Sequence, residues 1–282
     1  MNEFQEGFPR EEKVNIFPIS IDEKDGNIES RVVWMTPLIM KRLELLNRET
    51  MTVKDERSAG VYAIGIYEFL KISGVENKLS RADLSVIIAA GFLTDIGKTG
   101  PRNALPEVSL LITEMHAIDS NVNPGMKIGD FLRDYIGGDY EKQKILLATA
   151  GVDAEKMIMR DFWDMHVFWT AGIIADCPAP AEVKIGALAH HILEGNRPKG
   201  INKDGSVNIF GTKRGLEQTE ILVMLLDKYD AQRRRAGRDH KEAVKWIRRY
   251  VENNKNFDAL KPAVQKIIKE NIDIIDEALC TA

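Results

Sequence analysis

Ser80-Arg-Ala-Asp-Leu-Ser-Val-Ile-Ile-Ala-Ala-Gly-Phe-Leu-Thr-Asp-Ile-Gly-Lys98 is the stretch that decides the fold class. It opens with a hydroxyl followed three residues later by an acid, the spacing of a helix N-cap with a carboxylate in the first turn. An apolar run to about Asp95 follows, and Gly97 and Gly100-Pro101 supply stop signals. Helical spacing of apolar side chains recurs on either side. Residues 31–48 carry Val33, Leu38, Ile39, Leu43 and Leu46, and residues 58–72 carry Val61, Ile64, Tyr67 and Leu70. Further helices are expected at about 106–117, 127–136, 140–150, 154–176, 180–194, 214–235, 239–253 and 259–279. Pro180 suits a first helical turn, and Asp239 and Glu242 have capping-box spacing.

Extended structure is expected only at Val14–Ile21 and at Val207–Phe210, the latter inside a glycine-rich loop at 195–213. A loop of that length in a compact domain is usually functional or disordered. No repeat, low-complexity tract or obvious linker divides the chain. The reading is therefore an all-α, multi-helix bundle with an irregular N-terminal extension over residues 1–50.

The 282 residues lie near the upper size of one hydrophobic core. An apolar fraction of 44% and a charged fraction of 29% fit a folded globular chain. Lys plus Arg number 39 against 43 acids, a net charge of −4, which argues against a globally basic nucleic-acid binder. No apolar run reaches the roughly 18 residues a membrane span needs. The N-terminus lacks signal-peptide architecture, and two cysteines, Cys177 and Cys280, suit a reducing compartment, so a cytoplasmic location is expected.

Five histidines are present, at positions 116, 166, 190, 191 and 240. Four clusters could carry chemistry. The first is Phe92-Leu-Thr-Asp-Ile-Gly-Lys98, and the second is His166 within Asp164-Met-His-Val-Phe-Trp169. The third is the pair His190-His191, followed by Glu194, Gly195 and Arg197. The fourth is Asp227 within Leu226-Asp-Lys-Tyr-Asp-Ala231, followed by Arg233, Arg234 and Arg235. Imidazoles and carboxylates together are the ligands of Zn, Mn, Fe and Ni sites, which serve phosphate-ester hydrolysis. Each cluster also has a plain structural reading. Thr94–Lys98 could be a helix stop with a dipole-friendly lysine, His166 a satisfied core histidine, and the histidine pair incidental. The arginine run could be a solvated face. An aspartate on the apolar face at 227 needs a partner if buried. His116 and His240 have no matching context and read as surface residues.

Taken together and in order, these clusters resemble the HD-domain metal-dependent phosphohydrolase superfamily, and in particular its HD-GYP branch. In that pattern a helix carrying a His leads to a second helix ending in His-Asp-x-Gly-Lys. An isolated His comes next, then a His pair ahead of a Gly-Tyr-Pro loop, and last an Asp-x-Tyr-Asp-Ala segment. Asp95-Ile-Gly-Lys98, His166, His190-His191 and Asp227-Lys-Tyr-Asp-Ala231 match, and 24 residues separate His166 from His190. The resemblance covers roughly residues 55–240, with an HD-GYP-like helical domain over 51–282 and an insertion at about 102–155.

The departures are specific. Thr94 stands where the family has the His of its His-Asp doublet, and the alignment puts Arg57 at the first-helix His. Gly195-Asn-Arg-Pro-Lys-Gly200 replaces the Gly-Tyr-Pro loop. The resemblance implies Asp95, His166, His190, His191 and Asp227 as metal ligands, and two of three ligands at the family's first metal position are lost. One divalent ion (Fe, Mn, Ni or Zn) rather than two is therefore expected, with Arg57 as a fixed charge near the vacated position. By the same resemblance Asp95 and Lys98 would be catalytic, and Lys98, Arg197 and Arg233 would hold the phosphate.

Two functions follow as expectations. One is a metal-dependent phosphodiesterase-like hydrolase acting on a nucleotide, a cyclic dinucleotide or another phosphate-containing small molecule. The other is a catalytically inactive HD-type scaffold that binds a nucleotide or partner protein as a sensor. Neither a membrane nor a nucleic-acid partner is expected, and a homodimer is compatible with either function.

Overall fold

Helix α3, Arg81–Thr94, lies at the centre of the molecule and fixes the position of everything that follows. Ser80 accepts from the Asp83 amide, and Asp83 returns a bond to the Ser80 amide at 2.8 Å, so the anticipated N-terminus is a complete capping box. The computed structural model describes residues 20–24, 27–31, 36–75, 78–118 and 122–280. All but the last two residues of the extended segment expected at 14–21 lie outside the described residues. A hairpin of β1, Ser20–Lys24, and β2, Asn27–Arg31, precedes the helices.

The first helix, α1, is Pro37–Glu49, and it starts later than the apolar pattern suggests because Thr36 caps it and Pro37 occupies its first turn. It buries Ile39, Leu43 and Leu46 completely against the same core as the rest of the chain. Helix α2, Thr52–Ile72, packs along α3. Helices α8, Ala181–Ala189, and α9, Gln218–Asp230, complete the group around α3. Helices α10, His240–Glu252, and α12, Pro262–Ala278, close the outside, with the short α11, Lys255–Asp258, between them. Asp239 and Glu242 form the anticipated capping box of α10. Leu93, Ile96, Leu188, Ile221, Leu225 and Ile268 are among the fully buried aliphatics. Each contributes about 1.5–3 kcal/mol of burial free energy.

Apolar residues between 104 and 169 build a second, smaller core. Helices α4, Pro106–Ala117, α5, Ile128–Phe131, and α6, Tyr140–Thr149, bring Ile112, Met115, Phe131 and Leu147 together. Helix α7, Met159–Ile174, joins the two cores. It gives Met159, Phe162 and Trp169 to the smaller and Ile173 and Ile174 to the larger. The glycine-rich loop holds a hairpin, β3, Ser206–Ile209, and β4, Thr212–Gly215. Its turn residues Phe210 and Gly211 both have positive φ, 55° and 76°, the geometry a two-residue hairpin turn with right-handed strand twist requires. Among the described residues no helix is long and apolar enough to cross a membrane.

Candidate metal centre

Two helix ends and one helix middle deliver the ligating side chains. Asp95 is the C-cap of α3, and a 3-10 turn, Ile96–Thr99, carries the chain away from it. His190 and His191 occupy the corresponding place after α8, ahead of a second 3-10 turn, Ile192–Glu194. His166 sits inside α7. The α3 turn is pressed against α7 at Gly97, whose amide donates to Thr170 Oγ1 at 3.0 Å. A Cβ at position 97 would lie 1.9 Å from the His166 carbonyl oxygen, so only glycine allows this approach. What looks like a helix-stop glycine is the contact that brings Asp95 to His166.

Asp95, His166, His190 and His191 each offer an atom within 4.8 Å of all the others. Asp95 Oδ1 lies 3.4 Å from His166 Nε2 and 3.8 Å from His190 Nε2, and the two Nε2 atoms are 3.4 Å apart. The opposite edge of each ring is committed elsewhere. His166 Nδ1 donates to the Trp163 carbonyl and His190 Nδ1 to the Ala187 carbonyl at 2.7 Å. His191 Nδ1 meets Glu194 Oε2 at 3.3 Å. This bonding assigns the tautomers: both Nε2 atoms carry lone pairs and converge on a carboxylate oxygen.

The electrostatics favour the forms a metal takes. Burial pulls His166 down to about 4, against the opposing pull of Asp95. Burial and the neighbouring imidazoles hold His190 well below the usual histidine range. For Asp95, burial pushes upward, but Lys98, His166 and His190 together hold it well below the usual carboxylate range. Its Oδ2 accepts from Lys98 Nζ at 2.6 Å, which leaves Oδ1 facing the histidines. Three imidazoles and one carboxylate, oriented by outer hydrogen bonds, fit a divalent transition ion.

Asp227 lines the same pocket without joining the four converging atoms. Its Oδ2 accepts from Lys228 Nζ at 2.9 Å, and Lys228 also reaches Glu194 Oε1 at 3.1 Å. Burial acts to raise the Asp227 carboxyl, but Lys228 leads the groups that bring it below its ordinary value.

Several sequence expectations are corrected. Glu56, not Arg57, faces Thr94: Thr94 Oγ1 donates to Glu56 Oε1 at 2.8 Å. Burial, with Asp95 and Asp227 nearby, raises the Glu56 carboxyl well above the usual range. Glu56, Thr94 and Asp227 border a small cavity of about 10 Å³. Arg197 donates to the Gly195 carbonyl and Arg233 to the Arg238 carbonyl, and neither lines the pocket beside the cluster, whereas Arg235 does. Arg235 is partnered by Asp55 at 3.0 Å. His116 is 8% exposed, stacked on Phe162 and close to His166. His240 is bonded to the Tyr229 hydroxyl at 2.8 Å, so neither histidine is a free surface residue.

Glu56 had one sequence signal, because Glu56, Ala59, Gly60 and Ala63 share a narrow helical face on which an acid is out of place. Arg42 had none. It is buried in α1 and donates to the carbonyls of Thr99, Pro101 and Arg102 and to Ser109 Oγ, tying down the turn that carries Asp95 and Lys98.

No protein-family model, curated protein or solved structure matches this chain.

Proposed function

We propose that this chain binds one divalent transition-metal ion through Asp95, His166, His190 and His191 and hydrolyses a phosphate ester beside it. The observation that carries the reading is the convergence of His166 Nε2, His190 Nε2 and Asp95 Oδ1, while both Nδ1 atoms face backbone carbonyls. Three acceptors held at 3.4–3.8 Å repel one another unless a cation sits among them. The order of these residues, with its likeness to HD-GYP phosphohydrolases, points the site toward phosphoryl chemistry.

A divalent ion there supplies a Lewis acid for a phosphoryl oxygen and lowers the pKa of water. The chain's own residues do the rest. Asp95 bridges the histidines and Lys98, placing a compact positive charge at the pocket wall. Lys228 and Arg235 line the same wall and attract the anionic ester. Glu194 holds His191 on one side and Lys228 on the other, and Tyr250 donates to it at 2.8 Å. Burial favours a neutral Glu194, and Lys228 overcomes it to keep the carboxylate ionised.

The Thr94–Glu56 hydrogen bond favours the second reading, an inactive scaffold, because a hydroxyl bound to a carboxylate stands where the resembled family has a ligating His, and one metal lacks the two-metal clamp for in-line displacement. Hydrolysis of an aryl phosphodiester with added Mn, Fe or Ni decides between the two. Activity is expected in the wild type and absent from the His190→Ala/His191→Ala double variant. Equal activity in both overturns the site, and metal binding without turnover leaves the scaffold.

A further inference from the structure

Helix α2 has two sides of different character. Its inner side buries Ala63, Ile66 and Leu70 in the large core, and it carries Glu56 to Thr94 and Asp55 to Arg235. Its outer side holds Val61, Ile64 and Ile72, which are 65%, 43% and 85% exposed. Among the described residues eight large apolar side chains are exposed, and three of them share this one stripe. Spacings of three and eight residues keep them on one face of an α-helix, where a solvent-facing helix ordinarily carries polar groups.

Charge along the stripe follows a two-fold pattern. Arg57 and Glu68 flank Val61 and Ile64, one helical turn out on either side, so the four positions read basic, apolar, apolar, acidic about a midpoint between Tyr62 and Ala63. A helix laid antiparallel on its own copy about that midpoint sets Val61 beside the second copy's Ile64 and Arg57 opposite the second copy's Glu68. Lys54 and Lys71, a further turn out, fall on opposite flanks of the seam and stay apart. A parallel pairing would instead face Arg57 with Arg57 and Glu68 with Glu68. The stripe is complementary to itself in one direction only.

We infer that the outer face of α2 docks a second copy of this chain, as a two-fold antiparallel helix pair centred between Tyr62 and Ala63. Pairing takes Val61, Ile64 and Ile72 of each chain out of water, which drives association. The two Arg57–Glu68 pairs set its direction more than its strength. A single helix pair sits at the low end of interface size, so a dimer that dissociates in the micromolar range is expected. Because α2 carries Asp55 and Glu56 on its other side, each metal centre lies behind its own α2, away from the seam. The dimer is therefore independent of the chemistry at that centre.

Sedimentation velocity on the full chain across the micromolar range tests the pairing. The wild type is expected to pass from monomer to dimer as concentration rises. Val61→Glu should stay monomeric with its melting temperature unchanged, because that side chain is mostly exposed. Glu68→Arg sets two arginines against each other and should associate at least about tenfold more weakly. Adding Arg57→Glu to it should restore the affinity to within about threefold of wild type, since exchanging the charges re-forms the pair only in the antiparallel register. If the double variant does not fold, Val61→Glu and Ile64→Glu decide alone. A wild type that is monomeric at every concentration, as when another partner or segment covers the face, overturns the inference. A dimer indifferent to Val61→Glu overturns it as well, and a folded double variant that fails to recover overturns the antiparallel pairing.

Discussion

His166 and His190 point their Nε2 atoms at each other across 3.4 Å while both Nδ1 atoms donate to backbone carbonyls. Neither ring can turn to share a proton without giving up its carbonyl, so the ligand atoms stay close together in the folded chain. A ligand that binds only the folded state at a hundred times its Kd stabilises by about 2.7 kcal/mol. For a chain of this size, Mn or Zn should therefore raise the melting temperature by at least about 5 °C, and a chelator should reverse it. Asp95→Asn should lose the shift. Scanning fluorimetry measures it, and an equal shift in the variant would remove Asp95 from the ligand set.

Without metal, stability should fall on mild acidification. The His166 pKa drops from about 6.5 in the unfolded chain to about 4 when folded, so the unfolded state takes up the proton first. Stability is complete above pH of about 6.5 and declines as pH falls toward about 4, by up to about 3 kcal/mol from this residue alone. His190 and His116 shift in the same direction and steepen the loss. Asp95, held low, loses stability in the same direction, but only below the ordinary carboxylate range. Urea midpoints at pH 7.5 and 5 check this, and equal midpoints would contradict the buried neutral imidazoles.

What could be read from sequence follows the separation of interacting partners. The Ser80–Asp83 and Asp239–Glu242 capping boxes are legible because both partners sit three residues apart on one turn. The clustered ligand candidates are legible as residue types, and their helices follow from apolar spacing. His116 is illegible because its partners Phe162 and His166 are about 50 residues away and belong to another helix. Arg42 illustrates the same limit, since an arginine in a charged stretch of α1 is buried by carbonyls more than 50 residues away. Glu56 and Arg57 are adjacent, and a one-residue error of register on α2 exchanges a carboxylate for a guanidinium at the site.

Gly97→Ala should cost more than its size suggests. The new methyl would press on the His166 carbonyl and lie 2.6 Å from the Thr170 amide nitrogen, both backbone atoms of α7. Relief requires separating the α3 turn from α7, which moves Asp95 away from His166. A loss of about 1–3 kcal/mol and at least tenfold weaker metal binding are expected. Gly172→Ala on the same helix meets nothing within 4 Å and should be neutral or stabilising. Equal effects of the two would show that the close approach at Gly97 is unimportant.

Arg42→Leu should destabilise without touching a ligand. The leucine fills part of the space but leaves the carbonyls of Thr99, Pro101 and Arg102 without their donor, at about 1–3 kcal/mol for each that water cannot reach. Denaturant unfolding should show a loss of about 3 kcal/mol. A loss below about 1 kcal/mol would mean that these carbonyls find water.

Thr94→Val separates the role of the hydroxyl from that of the space. Valine has nearly the same shape, so the cavity of about 10 Å³ beside Glu56 stays small. Only the hydrogen bond to Glu56 Oε1 and the one to the Gly91 carbonyl are removed. Burial already raises the Glu56 carboxyl, while Thr94 lowers it, so losing the donor should raise it further. Stability should fall by about 1–3 kcal/mol at neutral pH. Metal analysis should still return one equivalent per chain, because Asp95, His166, His190 and His191 are untouched and valine adds no ligand atom. Two equivalents in this variant would show that the hydroxyl bond, rather than the packing around Glu56, excludes the second metal.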